Sequence, residues 1–393
     1  MRLLQRVAIS REGWCYLAVM AFILAGALLR QINLLVILFG MLAGPMLASW
    51  RLVKATLRRL DVKRNLPDSI SAGDLLIVEV VAANRRRRLP SWVVVVQDFI
   101  RPQGSPATSQ LIQPRVLFTF LPAGRTTSMT YRGRLTQRGL YQFGPLRMST
   151  RFPLGLLRHT VNLGQKDELI VFPRLGRLTP LFNRLQNSAD MGVGQATRQQ
   201  GFLEGEFYAL RDWRSGDSRR WVHWRTTARR QTAVVRQFEQ QRNQDVAVIL
   251  DAWQPDKPRE EHADAVELAV SFAASIVADL CRRGGRWLCL AIAGREDWLE
   301  NGPTSTALLH ESMRGLALAQ ATSADRLGDV LAAAIDRIRP GTRVMLISSR
   351  GLDLTDSTRF QAVWADERRR AWLSRVRLFD TSRDDLAEFF VPA

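Results

Sequence analysis

The chain has 393 residues, three cysteines, four histidines and a formal net charge of +19 at pH 7. The cysteines lack the spacing of a disulfide framework, which excludes a small cross-linked secreted scaffold. Lysine stands only at positions 54, 63, 166 and 257, so the positive charge is almost wholly arginine. Those arginines are spread among acids, and no helix-turn-helix, zinc-finger or RNA-recognition pattern accompanies them. No specific nucleic-acid partner is therefore expected.

The first 64 residues form one predicted unit. Residues 14–29 are apolar throughout apart from Cys15 and Tyr16, and residues 33–50 are nearly so, with Gly40, Gly44 and Pro45 inside. Each run is close to the ~20 residues that cross a bilayer. A second apolar run follows the first at once, without a small-residue cleavage site between them, which argues against a signal peptide. A buried helical hairpin in a soluble core is the alternative, but such helices rarely stay apolar on every face. Arg2, Arg6 and Arg11 precede the first run. Arg51, Lys54, Arg58, Arg59, Lys63 and Arg64 follow the second, and only Arg30 lies between. The positive-inside rule predicts a multi-pass protein with its N-terminus and everything after residue 50 in the cytoplasm, and the location expected is the cell inner membrane. A basic body held there is drawn to anionic lipid headgroups.

Residues 65–175 read as a β-rich domain. Predicted strands at 76–84, 92–99, 116–121, 126–135, 139–148 and 168–172 have the spacing of a β-sandwich, with turns at Pro122, Gly124, Gly139, Gly144 and Pro153. Residues 176–204 are predicted to be a linker, polar and glycine-containing over 183–203.

Residues 205–240 are the densest stretch in the chain, mixing arginine, acids and tryptophan. Asp217 or Ser218, after Gly216, can cap a following helix. Trp221, Trp224 and Ala228 then fall on one helical face, with Arg219, Arg220, Arg229 and Arg230 around it. Guanidinium groups stack on indoles and make forked pairs with carboxylates. The stretch therefore reads as a structural Arg–Asp–Trp cluster, as a docking or anion-binding surface, or as a reactive site built on Glu206, Asp212 and Asp217.

The order Gly205, Glu206, Phe207, Leu210, Arg211, Gly216, Asp217, Arg220, Trp224, Ala228, Arg229, Arg236, Phe238 and Glu239 resembles the signature of the domain-of-unknown-function 58 family. Residues 138–145, 152–156 and 171–174 are similar to further segments of that family, which lie in an immunoglobulin-like region between anchor and signature. The resemblance also implies an association with MoxR-type AAA+ ATPases, in a chaperone or complex-assembly role.

From residue 241 to 393 strands and helices alternate, which predicts an α/β domain with a mainly parallel sheet. Strands are expected at 246–251, 287–293, 343–348 and 376–379, and helices at 260–283, 306–320, 324–338 and 360–372. The block resembles a von Willebrand factor A-type domain, as the family implies. Asp251 stands where the metal motif Asp-x-Ser-x-Ser would begin, but Trp253 and Pro255 replace its serines, and the later strand ends in Ser348, Ser349 and Arg350. Asp251, Ser348 and Ser349 are a poor oxygen set for a hard cation, so no metal is expected. The strand-end loops at 251–258, 294–306 and 348–355 carry Trp253, Trp298 and Arg350, residue types that anchor protein interfaces or pack beneath loops.

Signals of catalysis are thin. No two histidines stand at ligand spacing, and the chain lacks a P-loop and a Gly-x-Ser-x-Gly elbow. His223 reads as a packed or hydrogen-bonded side chain. The expectation is a non-enzymatic, membrane-anchored interaction protein without a cofactor. The alternatives are an enzyme using the signature acids, or lipid or nucleic-acid binding through the arginine-rich surface.

Overall fold

The apolar runs form two helices, α1 (Arg11–Arg30) and α2 (Asn33–Leu57), both long and apolar enough to cross a membrane. Little of either is covered by protein. The turn between them passes through Gln31 in the left-handed region. The Tyr16 hydroxyl donates to the Leu42 carbonyl at 2.8 Å, linking the helices near Pro45. The computed structural model describes residues 4–103, 111–185, 206–214, 217, 219–239, 245–373 and 375–392. They divide into two compact units, Met1–Arg174 with Met313–Ala319, and Leu175–Ser312 with Gln320–Ala393.

In the first unit both helices are hydrogen-bonded into β-structure at the ends that carry the positive flanks. Ser10 caps α1 by accepting from the Gly13 amide at 3.0 Å, and its own amide donates to the Leu156 carbonyl at 3.0 Å. Its hydroxyl also lies 2.6 Å from the Gly155 carbonyl. A Cβ at Gly13 would stand 2.1 Å from the Leu156 oxygen, so only glycine fits there. A strand the sequence reading lacked, Leu4–Ile9, precedes α1 and pairs antiparallel with Leu157–Leu163. At the end of α2, Arg86 donates to the Ala55 and Thr56 carbonyls at 2.7 and 3.3 Å, and Ser91 donates to Thr56 at 2.8 Å. These donors satisfy carbonyls that a helix C-terminus leaves open, and the guanidinium charge suits the negative end of the helix dipole.

Three sheets make up the body of this unit. One is ordered Leu4–Ile9, Leu157–Leu163, Leu146–Thr150, Ser91–Gln97, Arg115–Leu121. A second is ordered Ile70–Ser71, Asp167–Phe172, Gly139–Phe143, Ile100–Pro102, and a third Leu60–Asn65, Leu75–Asn84, Thr126–Arg134. Val62 and Val80 of the third pack with Val94, Phe118 and Met148 of the first, and Leu57 of α2 joins that cluster. Leu76 and Val78 pack with Tyr141, Phe143 and Leu169 of the second.

Arg64 ties the three sheets together. Its side chain is fully buried, 2.6 Å from Asp98 and 2.5 Å from Asp167, and it also donates to the Phe143 carbonyl at 3.2 Å. Tyr131 donates to the other Asp98 oxygen at 2.7 Å, and burial first, then the Asp98 charge, pushes its phenol well above the usual range. The positive-flank count placed Arg64 among membrane-edge charges; the structure places it in the interior.

The sheet of the second unit is ordered Trp298–Pro303, Trp287–Ala293, Val246–Asp251, Arg343–Ser348, Val376–Asp380. All pairings are parallel except that of Trp298–Pro303, an antiparallel edge strand lying inside the stretch expected to be a loop. Central parallel strands are covered on both faces and read as continuous apolar runs, and every residue of Val246–Asp251 is buried. Ala247 and Ile249 share a cluster with the helix Leu327–Ile335. The long helix Glu260–Arg283 packs against Val246–Asp251 and Arg343–Ser348 and lies outside that cluster. The helix expected at 360–372 is two short ones, Gln361–Trp364 and Glu367–Leu373.

Replacing Arg64 with alanine strands Asp98 without its cation in a buried site. The expected loss is about 3–5 kcal/mol of stability, read from denaturant unfolding of the full chain. An unchanged midpoint would mean that the pair is not part of the folded core.

Candidate functional site

Two clusters in the second unit collect the residues singled out in the sequence. The first lies at the carboxyl ends of the central strands, where ligands bind on open parallel sheets. Asp251 ends its strand in register with Ser348. Its carboxylate accepts from the Ser348 hydroxyl at 3.0 Å and from Arg350 Nε at 2.9 Å, both at the same oxygen. Arg350 also donates to Asp325 at 2.7 Å, and Arg359 donates to the second Asp325 oxygen at 2.5 Å. The result is a chain of alternating charges, Asp251–Arg350–Asp325–Arg359. Burial pushes the Asp251 carboxyl above its usual range, against the pull of Arg350 and Ser348. Burial also acts to raise Asp325, but hydrogen bonds from its two arginines hold it below that range.

This donor set does not fit a metal. A hard cation needs several oxygens with free lone pairs. Here the Arg350 guanidinium already stands where Asp251 would meet the cation, and the Ser349 hydroxyl donates to the Trp253 carbonyl at 2.6 Å. The fixed cation of the strand end is an arginine side chain. Asp325 and Arg359, which complete the chain of charges, carried no local sequence signal.

Of the expected docking tryptophans, Trp253 is engaged by its neighbours. Trp253 Nε1 donates to the Ser323 carbonyl at 3.0 Å, and Arg350 lies 4.7 Å from its ring centroid. Trp298 sits on the edge strand with its indole nitrogen buried.

The second cluster is the signature. Glu206–Asp212 and Val234–Glu239 pair antiparallel, with Glu206 opposite Glu239, Leu210 opposite Arg236 and Arg211 opposite Val235. Gly205, Gly216 and Ser218 lie outside the described residues. Arg211 grips Asp217 through two bonds of 2.7 Å, and the Arg214 amide donates to the same carboxylate at 2.8 Å. The hydrogen bonds from Arg211 hold Asp217 below the usual carboxylate range. Asp217 is not a helix cap. The helix is Trp224–Arg230, and His223 caps it by accepting from the Thr226 amide. A 3₁₀ turn at Arg219–Trp221 breaks the phase between Trp221 and Trp224. Val222 is the inward residue, bridged to Val235, while Trp224 and Ala228 face out. Trp224 is 69% exposed, away from the cover it was expected to share with Arg211 and Asp217. Arg219, Arg220, Arg225, Arg229, Arg230 and Asp212 are also exposed.

The hairpin with this arginine-gripped acid is followed in the chain by a parallel sheet whose strand-end acid is held by an arginine. Residues 209–348 match the family described as "Protein of unknown function DUF58". The uncharacterized protein YeaD of Bacillus subtilis (strain 168) is 25% identical over 272 residues, which are 68% of this chain and 65% of YeaD. The chain thus spans about 65% of the length of that relative. Among solved structures, the CARDB domain of PF1109 from Pyrococcus furiosus aligns at 15% identity, with TM-score 0.19, over 29% of this chain and 95% of that one. A superoxide reductase (neelaredoxin) from Ignicoccus hospitalis aligns at 14% identity, with TM-score 0.19, over 28% of this chain and 79% of that one. Likenesses this slight carry no argument about fold or activity.

Two outcomes follow from these geometries. Arg350→Ala leaves buried Asp251 without its cation and is expected to lower stability by about 3–5 kcal/mol. In the unsubstituted chain, calorimetric titration with Mg²⁺ or Mn²⁺ should show no micromolar site, and a stoichiometric one would overturn the arginine assignment. The Arg211–Asp217 pair has a defined pH dependence. Because Asp217 is held low, its contribution is complete above the unfolded carboxylate range and is lost as pH falls through its folded value. An acid denaturation series should therefore contain a component that is missing in Asp217→Asn.

Proposed function

We propose that this protein is a non-enzymatic interaction protein, anchored in the inner membrane by α1 and α2, with its body in the cytoplasm. In this reading residues 65–175 are an immunoglobulin-like spacer and residues 241–393 a von Willebrand factor A-like domain without a metal. The partner is a MoxR-type AAA+ ATPase, in a chaperone or complex-assembly role.

The observation that carries the reading is Trp224. A tryptophan left 69% exposed amid arginines is the kind of residue that anchors protein interfaces. It stands on the signature, whereas Trp253 and Trp298 are tied into the strand-end loops and the edge strand. Docking is therefore assigned to the helix Trp224–Arg230 and its flanks. Electrostatics support an acidic partner surface, since exposed arginines of one sign speed encounter and orient it. The signature acids fit the same reading. Asp217 is gripped from two sides and serves to hold the hairpin in shape.

The test is capture of the cognate ATPase by the full chain in detergent. Trp224→Ala combined with Arg225→Glu should weaken binding by at least about tenfold, the effect of removing a central anchor. Thermal unfolding of the variant should be unchanged, since both side chains are exposed. Undiminished capture by that variant would move the interface elsewhere.

A further inference from the structure

We propose that the end of the first unit nearest the apolar helices is a membrane-facing platform. In it Trp92, Phe120, Phe152 and Leu154 lie in the interfacial layer of an anionic bilayer, and neighbouring arginines bind lipid phosphates. The proposal rests on the reading of α1 and α2 as membrane-spanning.

An exposed aromatic cluster is the first observation. Trp92 and Phe120 are opposite each other on adjacent strands, 44% and 43% exposed, with ring centroids 4.5 Å apart. Phe152 stacks on Trp92 at 6.2 Å. Ser91 and Leu121, next to them in the same strands, are fully buried, so Trp92 and Phe120 face away from the core. Val93 adopts φ 49°, a left-handed conformation that a β-branched residue takes only under strain. Both Trp92 and Val93 are exposed, although consecutive strand residues normally point to opposite faces and only one faces outward. Contiguous apolar surface of this kind marks an interaction site.

Its position identifies the occupant. Leu154 is 55% exposed on the turn whose Gly155 and Leu156 carbonyls are hydrogen-bonded to Ser10, the cap of α1. Trp14 lies one helical turn further along α1, about 6 Å away along the axis. Trp50 stands near the matching end of α2, with Lys54 Nζ 4.2 Å from its ring centroid. Trp14 and Trp50 are both exposed, as in the aromatic belt at a membrane boundary. The headgroup layer is about 5–8 Å thick on each side of the hydrocarbon. A turn bonded to the cap of α1 therefore lies within or against it.

Charge complements this placement. Arg87 and Arg88 are exposed on the loop that Arg86 fixes to the end of α2, and Arg58 and Arg151 are exposed close to the two helix ends. Asp61, beside them, is engaged by Arg85 at 2.5 Å. Basic residues at this level are attracted to anionic leaflets, and arginine forks match phosphate.

The experiment uses the full chain in vesicles containing doxyl-labelled lipid, with Cys15, Cys281 and Cys289 replaced by alanine and bimane attached at Leu154→Cys, Met41→Cys or Leu75→Cys. Met41 is exposed in the middle of α2, and Leu75 is nine residues up its strand from Asn84, about 30 Å from the helix end. Quenching is expected at positions 154 and 41 and not at 75. Quenching at 41 without quenching at 154 overturns the platform. No quenching at 41 overturns the membrane reading beneath it. In the unsubstituted chain, trypsin cleavage after Arg87 and Arg88 should be several-fold slower in anionic than in zwitterionic vesicles. Equal rates would remove the phosphate-binding role.

Discussion

Arg64 holds three sheets at one point. It rises from the first strand after α2, meets Asp98 between the Ser91–Gln97 and Ile100–Pro102 strands, and reaches Asp167 and the Phe143 carbonyl on the four-stranded sheet. Burying charges is expensive unless each is paired and its remaining hydrogen-bonding groups are satisfied. The guanidinium fork meets that condition because its donors diverge in a plane and can serve separate strands. Arg350 repeats the arrangement in the second unit, between Asp251 and Asp325. An arginine excess that suggests a nucleic-acid or lipid surface in composition is thus partly internal structure.

The elements with regular apolar periodicity were legible in the sequence. The two membrane-length helices and the strands Val246–Asp251, Trp287–Ala293 and Arg343–Ser348 fall where period and β-branching put them. What escaped depended on distant partners. Leu4–Ile9 is short and its ladder partners lie about 150 residues away, so nothing local marks it as a strand. Arg64 adjoins a run of positive flank residues and was read with them. Trp298–Pro303 carries Gly302 and Pro303, turn residues that an edge strand tolerates at its end.

The site was legible in part for a related reason. The position of Asp251 follows from the end of an apolar strand, and Arg350 was visible as a charge hostile to a metal. That the same arginine replaces the cation depends on Asp325 and Arg359, which loops bring in from other parts of the chain. The signature shows the converse error. Spacing put Trp221, Trp224 and Ala228 on one helix face, but the 3₁₀ turn and the His223 cap start the helix afresh at Trp224. An expected structural tryptophan became an exposed one, and with it the candidate interface moved from the strand ends to the hairpin.

The pairing of Leu4–Ile9 with Leu157–Leu163 also sets an order of events during synthesis. The first strand leaves the ribosome before either apolar helix, yet its hydrogen-bonding partner is not made until some 150 residues later. At about 5–20 residues per second that delay is roughly 8–30 s. Throughout it the strand has no ladder to join, and α1 lacks the Leu156 carbonyl that meets Ser10 in the finished fold. Both apolar helices are therefore made before the carbonyl to which the Ser10 amide donates. The sheet closes last around its oldest segment, so a nascent chain stalled before residue 157 would present an open strand edge to whatever chaperone attends it.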